Sequence, residues 1–60
     1  MGNKLKNLIH QKGFSQWDFA RRVGVSQPTI SYLVNEERMP SVRLLKKMAT
    51  VLNVTLDQLV

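Results

Sequence analysis

The sequence predicts an all-α domain of five short helices packed at steep angles, a compact orthogonal arrangement rather than an up-and-down bundle. Three observations predict it. Apolar residues recur at helical spacing along nearly the whole chain, and no stretch alternates like a strand. The three Gly and two Pro fall at a few sites between helical stretches or at their starts. Good capping residues, Ser15, Ser26, Ser41 and Thr55, stand ahead of four of those stretches. Sixty residues suffice for one domain, spanning 1–60, with a thin core.

The first helix is expected over about Lys4–Lys12, with Leu5, Leu8 and Ile9 on one face and Gly13 stopping it. Phe14 follows, placed to pack on the core. Ser15 caps a second helix, Gln16–Val23, and Asp18 completes a capping-box-like pair. Its apolar face is Phe19, Ala20 and Val23, with Ala20 small enough to let a crossing helix approach. Gly24 supplies the left-handed residue of a tight turn. Val25 plugs the angle, and Ser26 caps a third helix, Gln27–Val34, facing inward through Ile30 and Leu33. Pro28 tolerates the first turn but biases Gln27 away from helical dihedrals, so a slightly irregular start is expected. After a polar loop, Asn35–Pro40, Ser41 caps a fourth helix over Val42–Leu52, with Leu45, Met48, Ala49 and Leu52 at core spacing. Asn53 suits a left-handed C-cap. Thr55 and Gln58 form a capping box that opens a short fifth helix running to the terminus.

Nine Lys and Arg stand against four Asp and Glu, a formal charge of +5. The isoelectric point near 10.3 exceeds the rough threshold of 9 for nucleic-acid-binding domains. Basicity alone fits a solvated surface equally well, so the placement of charge must decide. With no Cys, neither a disulfide nor a zinc finger can staple the chain. A signal peptide and a membrane span are not expected, and Lys6 stands where a myristoylation signal needs Ser or Thr. No catalytic group or metal cluster can be built around His10, the single histidine, so neither an enzyme nor a cofactor is expected.

The run SQWDFARRVGVSQPTIS, two short helices joined at Gly24, reads as a helix-turn-helix formed by the second and third helices. SQWDFARRVGVSQPTISYL followed by PSVRLLKKMATVLNVTLDQL resembles the lambda-repressor-like helix-turn-helix family, also called XRE or Cro-type, over about residues 4–60. The residues carrying the resemblance are Ser15-Gln16, Ala20, Gly24-Val25-Ser26, Ile30-Ser31, Pro40-Ser41, Leu52-Asn53-Val54 and Leu59.

The resemblance implies double-stranded DNA as partner, with the third helix in the major groove. Base contacts then fall to Gln27, Pro28, Thr29, Ser31 and Tyr32. Gln27 suits adenine N6 and N7, Pro28 and Thr29 suit a thymine methyl, and Tyr32 meets a base or a phosphate. The family assigns Gln16 to a backbone phosphate, and it also stands where it could brace Gln27. Asn35 matches a phosphate-contacting position and equally suits a C-cap. Arg38 and Arg43 are further phosphate candidates, while Lys4 or Lys6 could flank the groove. Trp17 is expected to pack partly against long side chains, the alternative being a place along the DNA backbone. One departure stands out: Glu36 and Glu37 replace the Gly and basic residue common after the third helix. They repel phosphate unless they turn away or pair with Arg38.

One recognition helix reads half a site, so a homodimer on a palindromic operator is expected, its half-sites about 34 Å apart. Exposed apolar residues near the end, Val54, Leu56 and Val60, are the interface candidates. The expected function is a sequence-specific transcriptional regulator, most simply a cytoplasmic repressor blocking polymerase. An antitoxin or restriction–modification controller of the same fold is the alternative. A helical module that meets an acidic protein or membrane is a third, disfavoured by the polar face of the third helix.

Overall fold

The computed structural model describes residues 1–59. Its helices are α1 (Gly2–Gln11), α2 (Gln16–Val23), α3 (Gln27–Val34), α4 (Val42–Leu52) and α5 (Leu56–Leu59). The first four end in the same way. A left-handed residue follows each: Gly13, Gly24, Glu36 and Asn53, at φ 80, 90, 61 and 57°. The next amide then returns to a carbonyl five residues back. These bonds are Phe14 N–H to Ile9 O at 3.0 Å, Val25 to Ala20 at 3.0 Å, Glu37 to Tyr32 at 2.8 Å and Val54 to Ala49 at 3.0 Å. The closure satisfies carbonyls that helix ends otherwise leave without partners, and it turns the chain sharply. Sharp turns between short helices produce the orthogonal packing: the principal extents are 24, 23 and 19 Å, with no long bundle axis.

The helix starts follow the capping residues. Ser15 Oγ accepts from Asp18 N–H at 3.0 Å, and Ser41 Oγ accepts from Leu44 N–H at 3.1 Å. Thr55 and Gln58 form the full reciprocal box, Thr55 N–H to Gln58 Oε1 at 2.9 Å and Gln58 N–H to Thr55 Oγ1 at 3.3 Å. Ser26 departs from expectation. It occupies the N-cap of α3, but its hydroxyl pairs with Thr29 Oγ1 at 2.9 Å and not with a backbone amide. The first turn tightens instead, with Ser26 O accepting from Thr29 N–H at 3.1 Å and from Ile30 N–H at 3.4 Å. That is the irregular start expected from Pro28.

Helix α1 also differs, beginning at Gly2 rather than Lys4 and ending one residue early. Met1 O accepts from Leu5 N–H at 2.9 Å and opens the helix without a side-chain cap. Gly2 is buried against the end of α3, where a Cβ would lie 2.5 Å from Val34 O. Only glycine allows α1 to start so close to that carbonyl.

The core is one cluster: Leu5 and Ile9 of α1, Phe19, Ala20 and Val23 of α2, Ile30 and Leu33 of α3, Met48, Ala49 and Leu52 of α4, and Leu59 of α5. Leu45 packs on its edge, half-buried. Helix α2 lies against both α3 and α4, while α1 lies against α3 and α5. The helix-turn-helix is thereby clamped from behind, leaving the N-terminal turn of α3 and its outer stripe uncovered.

Candidate nucleic-acid interface

Helix α3 buries Ile30 and Leu33 and turns its other face outward. That face carries no ionisable side chain except the Tyr32 phenol; it offers amides, hydroxyls and the Pro28 ring. Such a surface can match hydrogen-bond patterns without a strong field of its own.

Seven predicted contact residues are joined in pairs or held by neighbours. Gln27 Nε2 donates to Gln16 Oε1 at 2.9 Å, tying the first residue of α3 to the first of α2. Each amide keeps a free half: Gln27 its Oε1 and second N–H, Gln16 its NH2 group. The Gln27 remainder is one acceptor and one donor, the set adenine presents in complement at N6 and N7. Thr29 is held through its hydroxyl by Ser26. Asn35 Nδ2 donates to Ser31 Oγ at 3.5 Å, one helical turn apart. Tyr32 is 38% exposed, and the Arg38 guanidinium lies 4.6 Å from its ring centre. This stack fixes a cation beside the outer face of α3. Pro28 is exposed, whereas Thr29 and Ser31 are half-exposed.

Glu36, in its left-handed turn, sends Oε1 back to α1, accepting from Gly2 N–H at 3.2 Å and facing the Met1 ammonium at 3.4 Å. It therefore turns away, one of the two ways its repulsion could be relieved. Arg38 pairs with the Tyr32 ring. The Gly2 amide, then the ammonium, hold the Glu36 carboxyl below the usual carboxylate range. A lowered folded-state pKa stabilises the fold above the ordinary Glu value, and the contribution disappears as pH falls through the folded value. The thermal midpoint of the wild type should therefore fall more than that of Glu36→Gln between about pH 6 and about pH 3. Parallel curves would refute the tether.

Trp17 is not partly packed as expected: it is 70% exposed. It borders a shallow cleft with Arg21, Gln27 and Pro28, beside the start of α3. Arg22 lies with its guanidinium 5.2 Å from the centre of the Phe14 ring. Arg43 does not join the Gln16–Gln27 pair; it lines a concavity between α2 and α4 with Arg22, Lys46 and Lys47 over Val23 and Val51. Of the apolar residues near the end, Leu56 is 37% exposed. Val54 is a correction: it is half-buried, packs on the core and is not freely exposed. Val60 lies outside the described residues. Among those residues no helix is long and apolar enough to cross a membrane, and no group of three or more metal-ligating side chains converges.

The sequence puts His10 near Lys6 on the first helix; the structure places both, with Gln16, around one concavity. The signal was their spacing of four, which puts them on one helix face.

Comparison with known proteins gives matches along nearly the whole chain. Residues 5–59 match the family described as helix-turn-helix. The sequence is 29% identical over 58 residues to an uncharacterized HTH-type transcriptional regulator, YazB, of Bacillus subtilis (strain 168), covering 97% of this chain and 84% of that protein. The fold matches SinR, the master regulator for biofilm formation, in its crystal structure in complex with DNA, with TM-score 0.93, 28% identity and full coverage of both chains. It also matches the N-terminal DNA-binding domain of SinR from Bacillus subtilis, with TM-score 0.88 and 29% identity over 97% of this chain and 86% of that one.

Proposed function

This chain belongs to the helix-turn-helix family, of the XRE or lambda-repressor-like type, and from that membership we propose that it reads an operator through the outer face of α3. It is a DNA-binding transcriptional regulator, not an enzyme. The finer reading is a cytoplasmic repressor, acting as one domain, that occupies a palindromic site as a homodimer and excludes polymerase. Gln27, Pro28, Thr29, Ser31 and Tyr32 face base edges; Gln16, Asn35, Arg38 and Arg43 face phosphates; Leu56 lies at the dimer contact, with Val54 behind it.

The observation that carries this reading is the Gln16–Gln27 bond at 2.9 Å. It pre-orients an amide at the N-terminal turn of an uncovered helix, where a major-groove reader presents its base-contacting residues. Pre-orientation lowers the conformational entropy lost on binding. A neutral reading face with cations at its margins separates sequence readout from phosphate attraction.

Selection from a random duplex library tests it. The enriched sequences should form an inverted repeat with centres about 34 Å apart, and log affinity should fall steeply with log salt concentration. A single enriched half-site would retain the regulator and remove the dimer. Absence of binding at low salt would overturn the whole reading.

A further inference from the structure

We propose that the concavity between α1 and the start of α2 is a phosphate subsite in which Lys6, His10 and Gln16 grip one backbone phosphodiester of the bound DNA, with His10 binding it as the imidazolium. The proposal rests on the DNA-binding reading and adds a second wall to the interface, on α1, outside the helix-turn-helix.

The concavity measures about 320 Å3 and is lined by Lys6, Asn7, Ile9, His10, Phe14 and Gln16. Ile9 and Phe14 form an apolar floor; the other four side chains all carry N–H donors. No carboxylate lines it. Lys6 and His10 are exposed, one helical turn apart on α1, so their heads are free to converge on an anion. Gln16 enters from α2. Its Oε1 is already committed to Gln27, so the group left to face the concavity is its NH2, a donor only. Three donors from two helices thus border the side chain that braces the base-reading residue. A phosphate seated there fixes Gln16 and, through it, Gln27.

Protonation follows from the surroundings of His10. Its charged neighbour in the concavity is Lys6; Gln16, Asn7, Ile9 and Phe14 are neutral. A phosphodiester seated beside His10 and Lys6 favours the imidazolium in the complex. Binding therefore takes up a proton, and affinity rises as pH falls through the imidazole range near 6.5.

The test uses the full chain, a fluorescent duplex of random sequence and anisotropy titrations between about pH 5.5 and about pH 8. Wild-type affinity should rise about tenfold toward the acidic end, matching an upward imidazole pKa shift of about one unit on DNA, read by NMR from the single histidine. His10→Gln should flatten the profile, and Lys6→Gln should reduce the salt slope by about one. Both positions are exposed, so circular dichroism should show both variants folded. Binding with an unmoved imidazole pKa, or an unchanged pH profile in His10→Gln, overturns the subsite and leaves the regulator standing. Absence of DNA binding by the wild type at every pH overturns both.

Discussion

Phe19→Ala should abolish or nearly abolish the cooperative thermal transition, the largest stability effect expected of any substitution in this chain. The Phe19 side chain is fully buried and meets Phe14 with ring centres 6.1 Å apart. It projects from α2, the helix packed against both α3 and α4. Removing a buried Phe side chain costs about 3–5 kcal/mol, because lost transfer energy adds to the cavity left behind. A 60-residue domain holds about 3–9 kcal/mol in total. The loss is therefore comparable with the whole stability, and each kcal/mol moves the midpoint of so small a domain by about 4–8 °C. Circular dichroism melts measure it directly. A midpoint within about 10 °C of wild type would mean that the core closes around the gap, and that Phe19 is not its centre. Because α2 also holds Gln16, the same variant should lose DNA affinity wherever it is unfolded. This couples the core to the site.

The parts of this fold legible in the sequence are those governed by local chemistry. Helices α2, α3 and α4 have the expected bounds because Ser15, Ser26 and Ser41 mark their starts and the turns that follow mark their ends. Asn53 and Gly24 adopt left-handed turns because amide and glycine residues do so at low steric cost. What stayed hidden depends on contacts distant in sequence. The start of α1 is set by the fit of Gly2 against Val34, thirty-two positions away, and no capping signal announces it. Glu36 adopts a left-handed conformation that its residue type disfavours, and its bonds to the chain start offset that cost. The exposure of Trp17 was equally illegible, since helical phase places it off the core without saying whether long side chains cover it. At the site, residue types suggested both Gln27 as a reader and Gln16 as its possible brace. Their bond could be verified only once the angle between α2 and α3 was known. The Tyr32–Arg38 stack had no sequence signal, because Arg38 sits in a loop whose path follows from the turn at Glu36.

The Gln16–Gln27 pair yields the largest functional prediction, and three substitutions separate its roles. Gln27→Ala should lower affinity for the selected operator by about 1–3 kcal/mol, about 5- to 150-fold, and relax preference at one base position in each half-site. Gln16→Ala removes the proposed phosphate donor and also unties Gln27, so it should weaken binding to every sequence and blur the same base position. Once Gln27 is gone the second effect has nothing left to act on, so the double variant should lose less than the sum of the singles, by about 0.5–3 kcal/mol. Gln16→Glu is the discriminating case. Its carboxylate still accepts from Gln27 Nε2, preserving the brace, but it presents negative charge to the phosphate. Affinity should fall for all sequences while base preference stays that of the wild type. If Gln16→Glu changes the selected bases as Gln16→Ala does, the acceptor role of Gln16 is not what orients Gln27, and readout must be fixed by the packing of α3 alone.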